Sequence, residues 1–173
     1  MLEYLVLYES ETGNTKKIAT EIFSALPGMS KDLINISDHD TFPEAAVYFV
    51  GFCVHRGTCS MKLGNLLGSL SGKKIALFGT CGAGSSPEYY RKLESGARIW
   101  IEDDNTYLGC FFCQGKMPLP VRKKYESRLH QGSAEEDQFI QRQIQNFDEA
   151  MIHPDQSDCR HAKDFVRTCL QKL

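Results

Sequence analysis

Two periods alternate along the chain. Residues 3–9 (EYLVLYE) form an apolar run rich in β-formers and closed by a polar cluster, the mark of a short strand buried on both faces. From Thr15 the period changes. Ile18, Ala19, Ile22, Phe23 and Leu26 recur at steps of three and four, giving one face of a helix that Pro27-Gly28 ends. Lys31–Ser37 (KDLINIS) alternates as a strand does, and Ala45–Cys53 (AAVYFVGFC) is a second continuous run of buried-strand length. Residues 60–70 (SMKLGNLLGSL) have helical spacing weakened by two glycines, and Lys74–Thr80 (KIALFGT) is a strand that opens into the Gly-rich CGAGSS. Pro87 suits a first helical turn, in a helix running through Tyr90, Leu93, Ala97 and Trp100 to the acidic turn 102–105. Thr106–Cys113 (TYLGCFFC) reads as a fifth strand. Strands alternating with helices predict an α/β fold, a parallel sheet covered on both faces. Beyond residue 116 the pattern is helical only: a short charged helix at about 121–130, a second opening near Ser133 with S-x-x-E, and a last one from Ser157 or Asp158 after the break at His153-Pro154.

Composition narrows the function classes. Apolar residues make up 42% and charged residues 24% of the 173, which excludes disorder, collagen-like repeats and low complexity. The length suits one domain spanning 1–173. The net charge is −2, and acidic and basic residues are interspersed throughout, so nothing calls for nucleic acid or an anionic membrane. The amino terminus turns polar after eight residues and no apolar run is long enough to span a bilayer; the cytoplasm is the expected location. The seven cysteines, at 53, 59, 81, 110, 113, 159 and 169, read there as thiols rather than a disulfide framework.

The most informative stretch lies between the first strand and the first helix: Ser10-Glu11-Thr12-Gly13-Asn14-Thr15. Three hydroxyls and an amide around one glycine, at the positive end of a helix, converge on a point that suits a phosphate dianion. Gly-Lys-Ser/Thr is missing and so is G-x-G-x-x-G, which disfavours a triphosphate or a dinucleotide. No lysine or arginine lies between Ser10 and Thr15, so a terminal monophosphate held by neutral donors fits best. A merely well-capped helix would need only one of these side chains.

S-E-T-G-N-T after an amino-terminal strand resembles the phosphate-binding motif [ST]-x-T-G-x-T of the flavodoxin family, which holds the phosphate of FMN. The resemblance implies a flavodoxin-like doubly wound five-stranded parallel sheet in the order 2-1-3-4-5, with an added helical segment at about 117–155 before the last helix. It also implies two further flavin loops, after the third and fourth strands. Here these are Cys53, Val54, His55, Arg56 and Gly57, and Thr80, Cys81, Gly82, Ala83 and Gly84. Flavodoxins commonly sandwich the flavin between aromatic side chains from these loops, and this chain has none there: Trp100 falls at a helix end, and Tyr89-Tyr90 fall within that helix. The departure argues against a very low potential. Arg56 pushes the same way if its guanidinium stands near the ring, since it would favour the reduced anion; the alternative is a solvated loop residue. His55 is either a wall of the site or an exposed loop residue.

Cys110 and Cys113 have C-x-x-C spacing, but on a strand they point to opposite faces and pack instead of ligating. Cys59 and Cys81 stay open as nucleophiles, though neither has a base nearby in sequence. Lys116 ends the fifth strand at the edge where ligands bind in such sheets, and Phe139, Ile140, Ile144 and Phe147 fall on one helical face that should pack on the domain. At finer grain G-F-C-V-H-R-G-T, C-Q-G-K and the late H-P-D are similar to a flavodoxin-like subfamily found beside bacterial bilirubin reductases, regarded as accessory redox proteins. That resemblance implies an FMN-binding electron carrier serving a partner oxidoreductase, a bilirubin reductase being the candidate. A small NAD(P)H-dependent FMN reductase of quinones or similar acceptors, and a non-redox module for another phosphorylated ligand, are the alternatives. The small net charge predicts a partner interaction only weakly dependent on salt.

Overall fold

In the computed structural model, which describes residues 1–173, five parallel strands form one sheet in the order β2-β1-β3-β4-β5. The strands are β1 (Leu2–Tyr8), β2 (Lys31–Asn35), β3 (Ala45–Cys53), β4 (Lys74–Cys81) and β5 (Thr106–Gln114). The helices are α1 (Asn14–Ala25), α2 (Met61–Gly68), α3 (Pro87–Arg98), α4 (Leu119–Glu126), α5 (Ala134–Ala150) and α6 (Gln156–Leu170). The predicted flavodoxin-like strand order is the observed one.

Alternation along the strands builds two cores. Val6, Phe49 and Phe78 face α1 and α6, where Ile18, Ile22, Ala162 and Val166 cover them. Leu7, Val50, Phe52 and Leu77 face α2 and α3, against Leu63, Leu67, Leu93 and Ala97. A continuous apolar strand is thus the physical consequence of helices on both faces.

Glycines explain two features that looked like weakness. In α2, a Cβ on Gly64 would come within 2.8 Å of the Trp100 ring, so the residue that lowers helix propensity is the seat of the only tryptophan. In β3, Gly51 is in register with Phe78 of β4, whose ring occupies the space a Cβ would need.

Several boundaries differ from the expected ones. β2 leaves the sheet at Asn35, and Ile36–Asp38 form a 3-10 turn in which the Asn35 side chain accepts from the Ser37 N–H. Ile36 stays fully buried there, so its apolar signal was correct while its backbone pairing was not. α4 starts at Leu119, because Pro118 takes the cap position and Pro120 sits in a first turn that has no intrahelical N–H to lose. α6 starts at Gln156, capped reciprocally by Asp155 and Asp158. In the added segment Ile140 and Phe147 are buried and Ile144 is half-buried, but Phe139 is 55% exposed: consecutive helical residues stand about 100° apart and cannot all share one face. In β5 a bulge at Leu108/Gly109 shifts the alternation by one, after which Cys110 packs towards the α2–α3 core and Cys113 towards the other. All seven cysteines are free thiols, and no helix is long and apolar enough to cross a membrane.

Candidate functional site

β1 and β3 are neighbours, yet the helices that follow them leave to opposite faces of the sheet. Diverging connections open a crevice at the carboxyl ends of the two strands, the usual ligand position in such sheets. The loops 10–15, 53–58 and 80–86 all start at that edge, after β1, β3 and β4.

The first loop is built to leave donors free. Gly13 has φ 85°, a left-handed conformation that lets the chain turn directly into α1. No side chain caps α1, and the first helical N–H to find a carbonyl is that of Lys17, on Gly13. The amides of Asn14, Thr15 and Lys16 therefore have no acceptor within the protein. By contrast Ser60, Ser86, Ser133 and Asp155 each cap their helix with a side-chain oxygen. Ser10 Oγ accepts from the Gly13 N–H at 3.1 Å, and Asn14 Nδ2 donates both to Thr12 Oγ1 and to the Lys116 carbonyl, each at 2.9 Å. Thr15 is different. It is fully buried, and its hydroxyl pairs at 2.8 Å with that of Thr80, so it braces the loop against β4. Lys116 contributes its carbonyl to this brace, and its side chain is exposed.

The second loop is a tight turn. His55 and Thr58 exchange both backbone hydrogen bonds, at 2.9 and 3.0 Å, while Arg56 (φ 49°) and Gly57 (φ 85°) between them both adopt left-handed angles. Two such residues in succession suit a two-residue hairpin turn. A non-glycine residue there is strained, and the result is that Arg56 is presented exposed at the tip. Thr58 Oγ1 donates to the Gly96 carbonyl of α3 at 3.0 Å and anchors the turn. His55 is exposed rather than walled in, with its Nε2 3.2 Å from Glu11 Oε1 and 3.3 Å from Cys53 Sγ. Val54 is half-buried and donates its N–H to the Thr80 carbonyl at 3.0 Å.

The third loop is held from beneath and from the side. Burial pushes the Cys81 thiol up to about 12, and its sulfur donates to the carbonyl of Gly84. Cys59 is also buried, with its thiol raised by burial. Neither is poised as a nucleophile, since attack needs the thiolate. Gly82 is clamped: Asn146 Nδ2 donates to its carbonyl at 2.7 Å, and the Met117 side chain fills the space where its Cβ would stand. Asn146 in turn accepts from Gln114 Nε2 at 3.1 Å, and the Gly115 N–H donates to the Cys81 carbonyl at 3.0 Å. Ala83 is exposed, and Gly84 has φ 147° with open space at its Cβ position.

The donor set fits FMN. Free backbone amides and hydroxyls, with no basic side chain between Ser10 and Thr15, match a phosphomonoester at a helix end. Each of the three loops also has a left-handed glycine, Gly13, Gly57 or Gly84, with nothing within 4 Å of where a Cβ would stand, so a flat ring could approach the backbone closely. No aromatic side chain lies on residues 53–57 or 80–84, and Tyr90 turns inward to pack on Phe112, with ring centroids 5.9 Å apart. A surface cavity of about 650 Å³ between Phe42, Tyr48, Lys62, Leu66 and Lys73 lies elsewhere, beside the loops that enter β3 and β4. Asn146, Gln114 and Met117 were not visible as site residues in the sequence. An asparagine among glutamines on an amphipathic helix has no local signature.

The comparisons with known proteins agree with this geometry. The family model described as "Flavodoxin domain" matches residues 5–167. The chain is 33% identical over 174 residues to the flavodoxin-like domain-containing protein BilS of Clostridioides difficile (strain CD3), covering 99% of this chain and 98% of that protein. It is 26% identical to the protein of the same name from Clostridium symbiosum (strain WAL-14163), covering 95% and 94%. Among solved structures, the flavodoxin of Streptococcus pneumoniae TIGR4 superposes with a TM-score of 0.60 over 98% of this chain and 99% of its own, at 15% identity.

Proposed function

The chain belongs to the flavodoxin family, and we propose that it is an FMN-binding electron-transfer protein that serves a partner oxidoreductase. The observation that carries this reading is the uncapped start of α1, whose three free amides and neighbouring hydroxyls are assembled at the switch between β1 and β3. FMN, when bound, supplies the ring that takes up and gives up electrons. The amides of Asn14, Thr15 and Lys16, with the Ser10 and Thr12 hydroxyls, hold the phosphate, and the Asn14 side chain ties Thr12 to the Lys116 carbonyl. Thr15 and Thr80 keep that loop in register with β4. Cys53, Val54, His55, Arg56 and Gly57 form one wall, and Thr80, Cys81, Gly82, Ala83 and Gly84 the other, where backbone groups meet the polar edge of the ring. On this reading Arg56 stabilises negative charge in the crevice.

The partner follows from the finer resemblance: G-F-C-V-H-R-G-T and the late H-P-D point to an accessory role beside a bilirubin reductase. A second reading, a small reductase using a nicotinamide donor, is supported by the contact of Met117 and Asn146 with the Gly82 loop, since an enclosed enzyme needs such a neighbour. Purification followed by visible spectroscopy and an anaerobic redox titration tests both. The carrier reading expects yellow protein with bound FMN, one-electron steps, and electron delivery to a bilirubin reductase. A two-electron step with fast NAD(P)H turnover favours the reductase, and protein that stays colourless after incubation with FMN refutes both.

A further inference from the structure

We propose that Glu11, Cys53 and His55 form a site for a thiophilic divalent cation of the zinc class, Cys53 and His55 being residues that the flavin reading places at one wall of the crevice. The three donor atoms come from two loops and lie within 4.8 Å of one another. His55 Nε2 is 3.3 Å from Cys53 Sγ and 3.2 Å from Glu11 Oε1. Four-coordinate zinc with bonds of about 2.0–2.3 Å has ligand-to-ligand edges of about 3.3–3.8 Å, so both separations are within a few tenths of an ångström of those of ligands sharing one ion.

Hydrogen bonding alone serves this cluster poorly. Nε2 carries one hydrogen or one lone pair. As an acceptor it accepts a hydrogen bond from the Cys53 thiol and sets its lone pair against a carboxylate oxygen; as a donor it divides one hydrogen between two acceptors. A cation between the three satisfies all of them. The surroundings favour positive charge: Glu9 Oε2 is buried without a hydrogen-bond partner, and the Glu9 charge reaches both Cys53 and Cys59. The backbone N–H of Glu11 faces the Cys53 sulfur and favours its thiolate, against burial, which raises the thiol. On binding, the S–H bond of Cys53 breaks as the sulfur–metal bond forms, and the proton leaves to solvent; nothing is oxidised or reduced. Glu11 and His55 are exposed, so ions have access and a fourth position stays open to water, as in zinc sites with three protein ligands.

The test is titration of the reduced full-length protein with Co²⁺, read as difference spectra against the same sample without metal, its flavin content being recorded beforehand. A sulfur-to-cobalt charge-transfer band should appear in the near ultraviolet with four-coordinate visible bands, and Zn²⁺ should displace them. Cys53→Ser should abolish the charge-transfer band, and His55→Ala should weaken Co²⁺ binding at least tenfold. Cys159→Ser, at another partly exposed thiol, should leave the band intact. Absence of the band in the wild-type protein, its persistence in Cys53→Ser or its loss in Cys159→Ser would overturn the proposal, whatever the flavin content.

Discussion

Replacing Asn146 by alanine tests whether the added helices set the shape of the cofactor loop. The side chain makes two hydrogen bonds, accepting from Gln114 Nε2 at 3.1 Å and donating to the Gly82 carbonyl at 2.7 Å. Gln114 is only 5% exposed, so its amide is left without a partner in the variant, at a cost of about 1–3 kcal/mol. The Gly82 carbonyl is half-buried and can turn to water, which limits that loss to about 0.5–1.5 kcal/mol. Together the variant should lose about 1.5–4.5 kcal/mol, which is a fall of about 1–2 M in the urea midpoint for an m-value of about 2 kcal/mol/M. FMN affinity should fall about tenfold, equivalent to about 1.4 kcal/mol, because the loop that meets the ring is no longer held.

Asn146→Asp separates the two effects. It keeps an acceptor for Gln114 but sets a carboxylate oxygen against the Gly82 carbonyl. Stability should therefore recover in part while FMN affinity stays low. Urea unfolding followed by circular dichroism and fluorescence titration of FMN measure the two quantities. An alanine variant with a midpoint within about 0.3 M of wild type and an unchanged FMN dissociation constant would refute the clamp.

Three further outcomes follow from named groups. Thr12→Ala should weaken FMN binding by about 1–3 kcal/mol with little change in the unfolding midpoint, whereas Thr15→Ala should reduce both, because it also strands the buried Thr80 hydroxyl; unchanged affinity in both variants would sink the phosphate-loop assignment. Arg56→Gln should lower the midpoint potential by about 10–20 mV for the two-electron couple, the equivalent of about 0.5–1 kcal/mol from an exposed charge, and a potentiometric titration showing no shift would leave Arg56 a solvated residue. Burial raises the thiols of Cys81 to about 12 and Cys169 to about 11. In the native state these protons are retained while the unfolded chain releases them above about pH 9, so stability is fully present below that pH and falls as pH rises towards 11, by about 1.4 kcal/mol per pH unit for each group; a urea midpoint that is level from pH 8 to pH 11 would contradict this.

Features confined to a short stretch could be read before the structure was known. The parallel sheet followed from alternating elements, which are local, and the strand order came only through the family resemblance that a six-residue motif carries. Thr15 shows the limit: its residue type and place in S-E-T-G-N-T were evident, but its hydroxyl is directed to Thr80, 65 positions away, and no periodicity reports that pairing. Gly64 was misleading for the same reason. Counted by propensity it weakens α2, yet its missing Cβ is what admits Trp100 from the end of α3. Ile36 carried a correct burial signal on a backbone that had already left the sheet. Long-range contacts decided each of these, and one sequence read by local pattern contains no term for them.

The added segment bears on whether the site serves a carrier or an enclosed enzyme. Its hydrogen bonds to the core run to one side: Asn146 with Gly82 and Gln114, His153 with the Lys116 N–H, and Pro154 with Lys17. None reaches residues 53–58, which are held instead by β4 through Val54 and by α3 through Thr58. The crevice is thus stiffened on its β4–β5 side, while the turn that presents Arg56 stays exposed, and Met61, at the start of the following helix, is 65% exposed. A partner that exchanges electrons needs one rim that keeps its shape and one that can be approached. On the carrier reading, with a net charge of −2 supplying little long-range steering, contact at the exposed rim carries the recognition. This arrangement suits a protein that passes electrons across an interface better than one that shuts a substrate in, and it makes the 53–61 segment the place where changes should alter partner choice without altering the fold.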